Sequence, residues 1–124
     1  MADRTFLDWP FFTDTHRELA RRLGGWAAKR FSGPATAEDR ESVDAACRRL
    51  VRDLGHAGWT RYSVPATGGS GGTSDDGSAA FDVRALALIR EILARHDALA
   101  DFAFAMQGLG SGAIALAGSP ELKA

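Results

Sequence analysis

Cysteine, lysine, tyrosine and net charge are all scarce in this 124-residue chain. It has one Cys, one Tyr, two Lys against 13 Arg, and 15 basic against 16 acidic side chains for a formal net charge of -1. A lone Cys47 excludes an intrachain disulfide, and the opening residues carry no basic segment followed by an apolar stretch, so the expected setting is reducing and cytoplasmic. The balanced charge argues against nucleic acid as a partner, because neutralising phosphates takes a clustered basic surface. The longest unbroken apolar runs, such as Ala85 to Ile89 and Phe102 to Met106, are only five residues. A bilayer crossing needs about 20, so no membrane span is expected.

What is abundant is helical periodicity. Thr13 or Asp14 can cap a first helix whose apolar positions Leu19, Leu23, Trp26 and Ala27 recur at three- and four-residue spacing, with Glu18 and Arg22 set to pair four apart on its outer face. It should run to about Phe31, where Ser32-Gly33-Pro34 breaks it. Val43, Ala46, Cys47, Leu50, Val51 and Leu54 mark a second amphipathic helix, started by Thr36 or Asp39 and closed by Gly55 as a left-handed cap. His56 to Val64 reads as an irregular crossing that packs Trp59, Tyr62 and Val64 inward. Residues 66–78 contain no large apolar group and read as a flexible Gly/Ser-rich loop.

A third helix is expected from Ala79 to about Arg95, its broad apolar face made by Val83, Leu86, Leu88, Ile89, Ile92 and Leu93, with Glu91 and Arg95 paired outside. Asp97 should open a shorter helix to Gln107. Gly108-Leu109-Gly110 then separates it from another at Ser111 to Ala117, which Gly118 stops, and Ser119-Pro120-Glu121 looks like a further first turn. The fold class is therefore all-α, five to six helices in a bundle-like domain over residues 1–124.

Few residues invite a catalytic reading. Gly108, Gly110 and Gly112 imitate a dinucleotide-binding start, but the third glycine comes one place early and the chain left after them is too short for a βαβ unit. The glycines at 68–72 lack the Gly-Lys-Ser/Thr that a phosphate loop requires. His16, His56 and His96 are widely separated, each without a partner at metal-ligand spacing, and read as surface or helix-end histidines. Cys47 lies on an apolar stripe, which suits a buried inert thiol. No catalytic residue and no metal site is expected in the chain.

Three stretches carry a resemblance. Leu54-Gly-His-Ala-Gly-Trp-Thr-Arg-Tyr-Ser-Val-Pro65, followed by Gly68-Gly69, resembles the loop region of the N-terminal helical domain of acyl-CoA dehydrogenases. Further on, Leu88-Ile-Arg-Glu91-Ile-Leu-Ala-Arg-His-Asp97 is similar to that family's third-helix motif, and Leu109-Gly110 through Gly118-Ser-Pro-Glu-Leu-Lys123 to the end of the domain. Thr67 stands where an aromatic residue is usual, and Leu122 where glutamine is. The resemblance implies an N-terminal piece of a longer flavoenzyme that dehydrogenates acyl-CoA thioesters between the α and β carbons. It implies FAD as cofactor, acyl-CoA as substrate, and a middle β-domain, a C-terminal helical bundle and further subunits of a homo-oligomer as partners. The glutamate base and most of the flavin site belong to the parts absent from this sequence. By the same resemblance Phe102, Ala105, Met106 and Leu109 line the acyl cavity, and their spacing of three, four and seven independently places them on one helix face. The alternative is a stand-alone helical interaction module without catalysis.

Overall fold

The computed structural model describes residues 3–33, 40–65 and 81–123. Within them the chain forms five helices: α1 (Asp14–Arg30), α2 (Arg40–His56), α3 (Val83–His96), α4 (Ala98–Ala117) and α5 (Pro120–Lys123). Short 3-10 turns at Thr5–Asp8 and Trp59–Ser63 complete it, and no strand occurs among the described residues. The all-α architecture follows from the 3.6-residue periodicity. The expected loop at 66–78, the helix start at Thr36 or Asp39 and Ala79 lie outside the described residues.

Helix α3 occupies the centre, packed on one side by α1 and on the other by α4, while α2 and the second 3-10 turn close over α4. Its broad apolar face explains that position, since a helix with neighbours on two sides must bury more than one stripe. Ile89 and Leu93 of α3 are fully buried with Leu23 of α1, Leu54 of α2 and Phe104 of α4. Each contributes roughly 1.5–3 kcal/mol by leaving water. Trp59 fills the gap between α1 and the 3-10 turn, its ring 6.1 Å from Trp26 and 6.5 Å from Tyr62.

Several local expectations are corrected. Helix α2 does not end at Gly55 but continues one residue to His56, and the left-handed backbone falls at Gly58, with φ of 78°. A residue with Cβ would be strained there. Val64 and Val83 do not pack inward. Val64 is exposed, and Val83 is 70% exposed because it opens the first turn of α3, ahead of the buried Ala85, Leu88 and Ile89. That helix starts after Asp82, whose carboxylate accepts from the backbone N–H groups of Arg84 and Ala85, so residues before it are not helical as far back as they are described. Glu18 pairs with Arg21, one place short of Arg22, which instead lies over the Trp59 ring at 5.7 Å. The outer pair Glu91–Arg95 forms as expected. Cys47 is half-buried rather than fully enclosed.

The largest difference is that Gly108-Leu109-Gly110 breaks nothing. Asp97 caps a single helix of 20 residues that runs through Gly108, Gly110 and Gly112 to Ala117. Glycine costs a helix about 1 kcal/mol but does not forbid it, and the buried Ala100, Ala103 and Phe104 anchor the helix against the core. The real stop is Gly118: a Cβ there would stand 2.5 Å from the carbonyl oxygen of Ile114, so only glycine lets the chain leave so tightly. Unbroken, α4 becomes long and apolar enough to cross a bilayer by length and composition, with a mean hydropathy of 1.3 over its best window, which the separate five-residue runs did not suggest. Its inner stripe is nonetheless core, and Asp101 is tied to Arg90 of α3, which makes it a member of the bundle.

Continuity of α4 has a measurable consequence. Gly110 has open space around its missing Cβ and ordinary helical backbone, so Gly110→Ala should stabilise the domain by about 0.5–1 kcal/mol through reduced backbone entropy of the unfolded chain. A urea midpoint that rises on substitution supports one helix, and a fall would mean the chain breaks at the glycines.

Candidate functional site: the outward face of α4

With 3.6 residues per turn, Ala100, Ala103 and Phe104 point from α4 into the core, and Phe102 and Leu109 point the opposite way. The sequence-derived residues share that outward face. Phe102 is 55% and Leu109 71% exposed, Met106 is exposed beside them, and Ala105 is half-buried on the other flank. The apolar stripe continues to Leu116, also exposed. So α4 is apolar on two opposite sides while the described residues cover only one. Helices that are apolar all round are normally buried all round.

Relief along this face is uneven. Ala105 presents only a Cβ, between Phe102 three residues before it and Leu109 four after it, and next to Met106. Residues three and four apart on a helix stand about 5–6 Å apart at Cβ, so the Ala105 position is a recess bounded lengthwise by the large side chains of Phe102 and Leu109. Along its edge lies Asp101, one turn before Ala105. Asp101 receives two hydrogen bonds from Arg90, from Nε to Oδ1 and from Nη2 to Oδ2, each 2.9 Å. This bidentate pairing holds the half-exposed guanidinium in a fixed plane and raises its pKa further above its ordinary value, through the hydrogen bond and then the carboxylate charge.

A second polar constellation joins the N-termini of α1 and α3. His16, expected at the surface or at a helix end, sits in the first turn of α1 but is buried, 3% exposed. The Thr13 backbone N–H donates to its Nδ1 at 3.1 Å, so Nδ1 is the acceptor and Nε2 carries the proton donated to Asp82 Oδ2 at 2.9 Å. Asp82 in turn caps α3 through Oδ1. Burial pushes the Asp82 carboxyl up, but the Ala85 N–H, the His16 hydrogen bond and the Arg84 charge outweigh it and hold it below the ordinary carboxylate value. Both ring nitrogens and both carboxylate oxygens are engaged within the fold. The arrangement is a joint between two helix starts. Its sequence signal was present only in part: Asp82 precedes a helix as a cap should, but nothing local pairs it with a histidine 66 positions earlier.

Among the described residues no group of three or more His, Cys, Asp or Glu side chains could hold a metal ion. Comparison with protein families gives a match to the acyl-CoA dehydrogenase N-terminal domain over residues 13–124, from the cap of α1 to the last residue. No curated protein matches the chain significantly.

Proposed function

Since the chain belongs to the acyl-CoA dehydrogenase family as its N-terminal helical domain, we propose that it supplies one wall of the acyl cavity and an inter-domain surface in an FAD-dependent enzyme that dehydrogenates acyl-CoA thioesters. The observation that carries this is the second apolar side of α4. Phe102, Met106 and Leu109 stand exposed, opposite a core face that is already filled. An alkyl group laid on them gains roughly 0.8 kcal/mol per buried methylene, and the stripe beyond Leu109 gives a neighbouring domain its contact.

In this reading substrate carbon is bound and kept from water by α4, while FAD, which takes the hydride, and the glutamate that takes the α proton are held by the middle β-domain and the C-terminal bundle. The outward residues of α4 are apolar, and the arginines of α1 and α3 that make ion pairs, Arg17, Arg21, Arg30, Arg84, Arg90 and Arg95, are engaged with carboxylates of this fold. Such a surface suits an acyl chain and does not suit a flavin pyrophosphate, so no residue here is assigned to the cofactor. A homo-oligomer in a cytoplasmic setting completes the proposal.

Ala105→Phe in the complete enzyme tests it. Filling the recess should raise KM for acyl chains of eight or more carbons by about tenfold, the equivalent of two methylenes, while kcat for a four-carbon substrate stays within about twofold. An unchanged chain-length profile together with a lower unfolding temperature would mean that the outward face of α4 is ordinary packing surface.

A further inference from the structure

The assignment of α4 as cavity wall says nothing of what the acyl group is, but the relief of that wall does. Resting on that reading, we infer that the recess at Ala105 receives an aromatic ring, so that the preferred substrates are arylalkanoyl thioesters rather than straight-chain ones. Three observations converge. The recess is closed lengthwise by Phe102 and Leu109, whose Cα atoms are about 10 Å apart along the axis, so an extended alkyl chain cannot continue along the helix without passing over one of them. A compact planar group fits between them.

The surrounding side chains are also those that favour a ring. Phe102, one turn before Ala105, stands about 5–6 Å from it at Cβ, within the range for an edge-to-face ring pair, and Met106 is exposed on the same side of the helix with a thioether to offer. Beside the recess, Arg90 is held flat by its two 2.9 Å bonds to Asp101, one turn before Ala105, and remains half-exposed. A guanidinium fixed in plane with a free face stacks on an aromatic ring and gains nothing comparable from an alkyl chain.

The test uses the complete enzyme and unreactive S-alkyl-CoA thioethers, so that turnover does not enter: S-(3-phenylpropyl)-CoA against S-octyl-CoA, with dissociation constants from titration calorimetry. The phenylpropyl compound should bind about tenfold tighter despite its smaller apolar area. Arg90→Gln should weaken the phenylpropyl compound several-fold more than the octyl one, and Ala105→Leu should weaken the phenylpropyl compound most. Tighter binding of the octyl compound, or equal losses for both on Arg90→Gln, overturns the aromatic assignment and leaves the cavity wall in place. Affinities for both compounds that ignore Ala105→Leu, in a variant whose circular dichroism and unfolding temperature match the wild type, remove the wall itself.

Discussion

Phe104→Ala should cost the domain about 4 kcal/mol and lower its melting temperature by on the order of 15 °C, while Phe102→Ala, two residues away on the same helix, should cost less than about 0.5 kcal/mol. The rings are chemically identical, so the difference isolates direction. Phe104 is 1% exposed and fully enclosed, and its removal leaves a cavity that the fully buried Ile89 and Leu93 cannot collapse to fill. Phe102 loses only partial contacts in the chain alone. In the complete enzyme the order of functional effects should reverse: Phe102→Ala should alter acyl affinity, and any Phe104→Ala protein that folds should bind substrate nearly normally. Urea denaturation of the two variants measures the first contrast. Equal losses would mean that α4 is rotated from the position described.

Asp82→Ala should be the next most damaging change, at about 3 kcal/mol. It removes the Oδ1 acceptor that caps α3 by taking both the Arg84 and Ala85 N–H groups, and strands the buried Nε2–H of His16, two separate costs of about 1–2 kcal/mol each. Asp82→Asn should fall between, because an amide oxygen can still cap the helix while the charge toward His16 and Arg84 is lost. The pH dependence follows from the lowered carboxyl pKa. Its stabilisation is complete above the ordinary carboxylate value near pH 4 and is lost as pH falls through the lower folded value, where native Asp82 takes up its proton. The stability gap between wild type and Asp82→Asn should therefore be constant at neutral pH and shrink below about pH 4. A gap that widens on acidification contradicts the assigned hydrogen bonds.

Helix types and most core positions were readable from spacing, because a stripe such as Leu19, Leu23 and Ala27 has one way to face a core. What was not readable depended on tertiary contacts. Local propensity put a break at Gly108 and Gly110, and the anchoring of α4 through Ala100, Ala103 and Phe104 overrode it. Val83 fits an apolar stripe by count, yet among the described residues nothing covers the first turn of α3 on that side. His16 and Asp82 are each unremarkable in sequence and acquire a role only because α1 and α3 start at the same place. Phe102, Ala105, Met106 and Leu109 shared one face on spacing alone. That this face lies opposite the core, next to the Arg90–Asp101 pair, needed the packing of α3 against α4.

Mechanically, α4 is a rod about 30 Å long that is clamped at one end. Its first half is bolted into the bundle through Phe104 and the Asp101–Arg90 pair, Ser111 Oγ still donates to the Ser63 carbonyl at 3.2 Å, and the turns beyond it, with Ile114 and Leu116 exposed, project as a cantilever. Gly108, Gly110 and Gly112 sit at the transition and give the rod its most compliant section. A load applied at the free end by a docking domain would bend the rod there, just past Ala105 and Met106. Substrate contacts on the clamped half would then keep their geometry whatever strain assembly imposes on the other, so that assembly and recognition are mechanically insulated along a single helix.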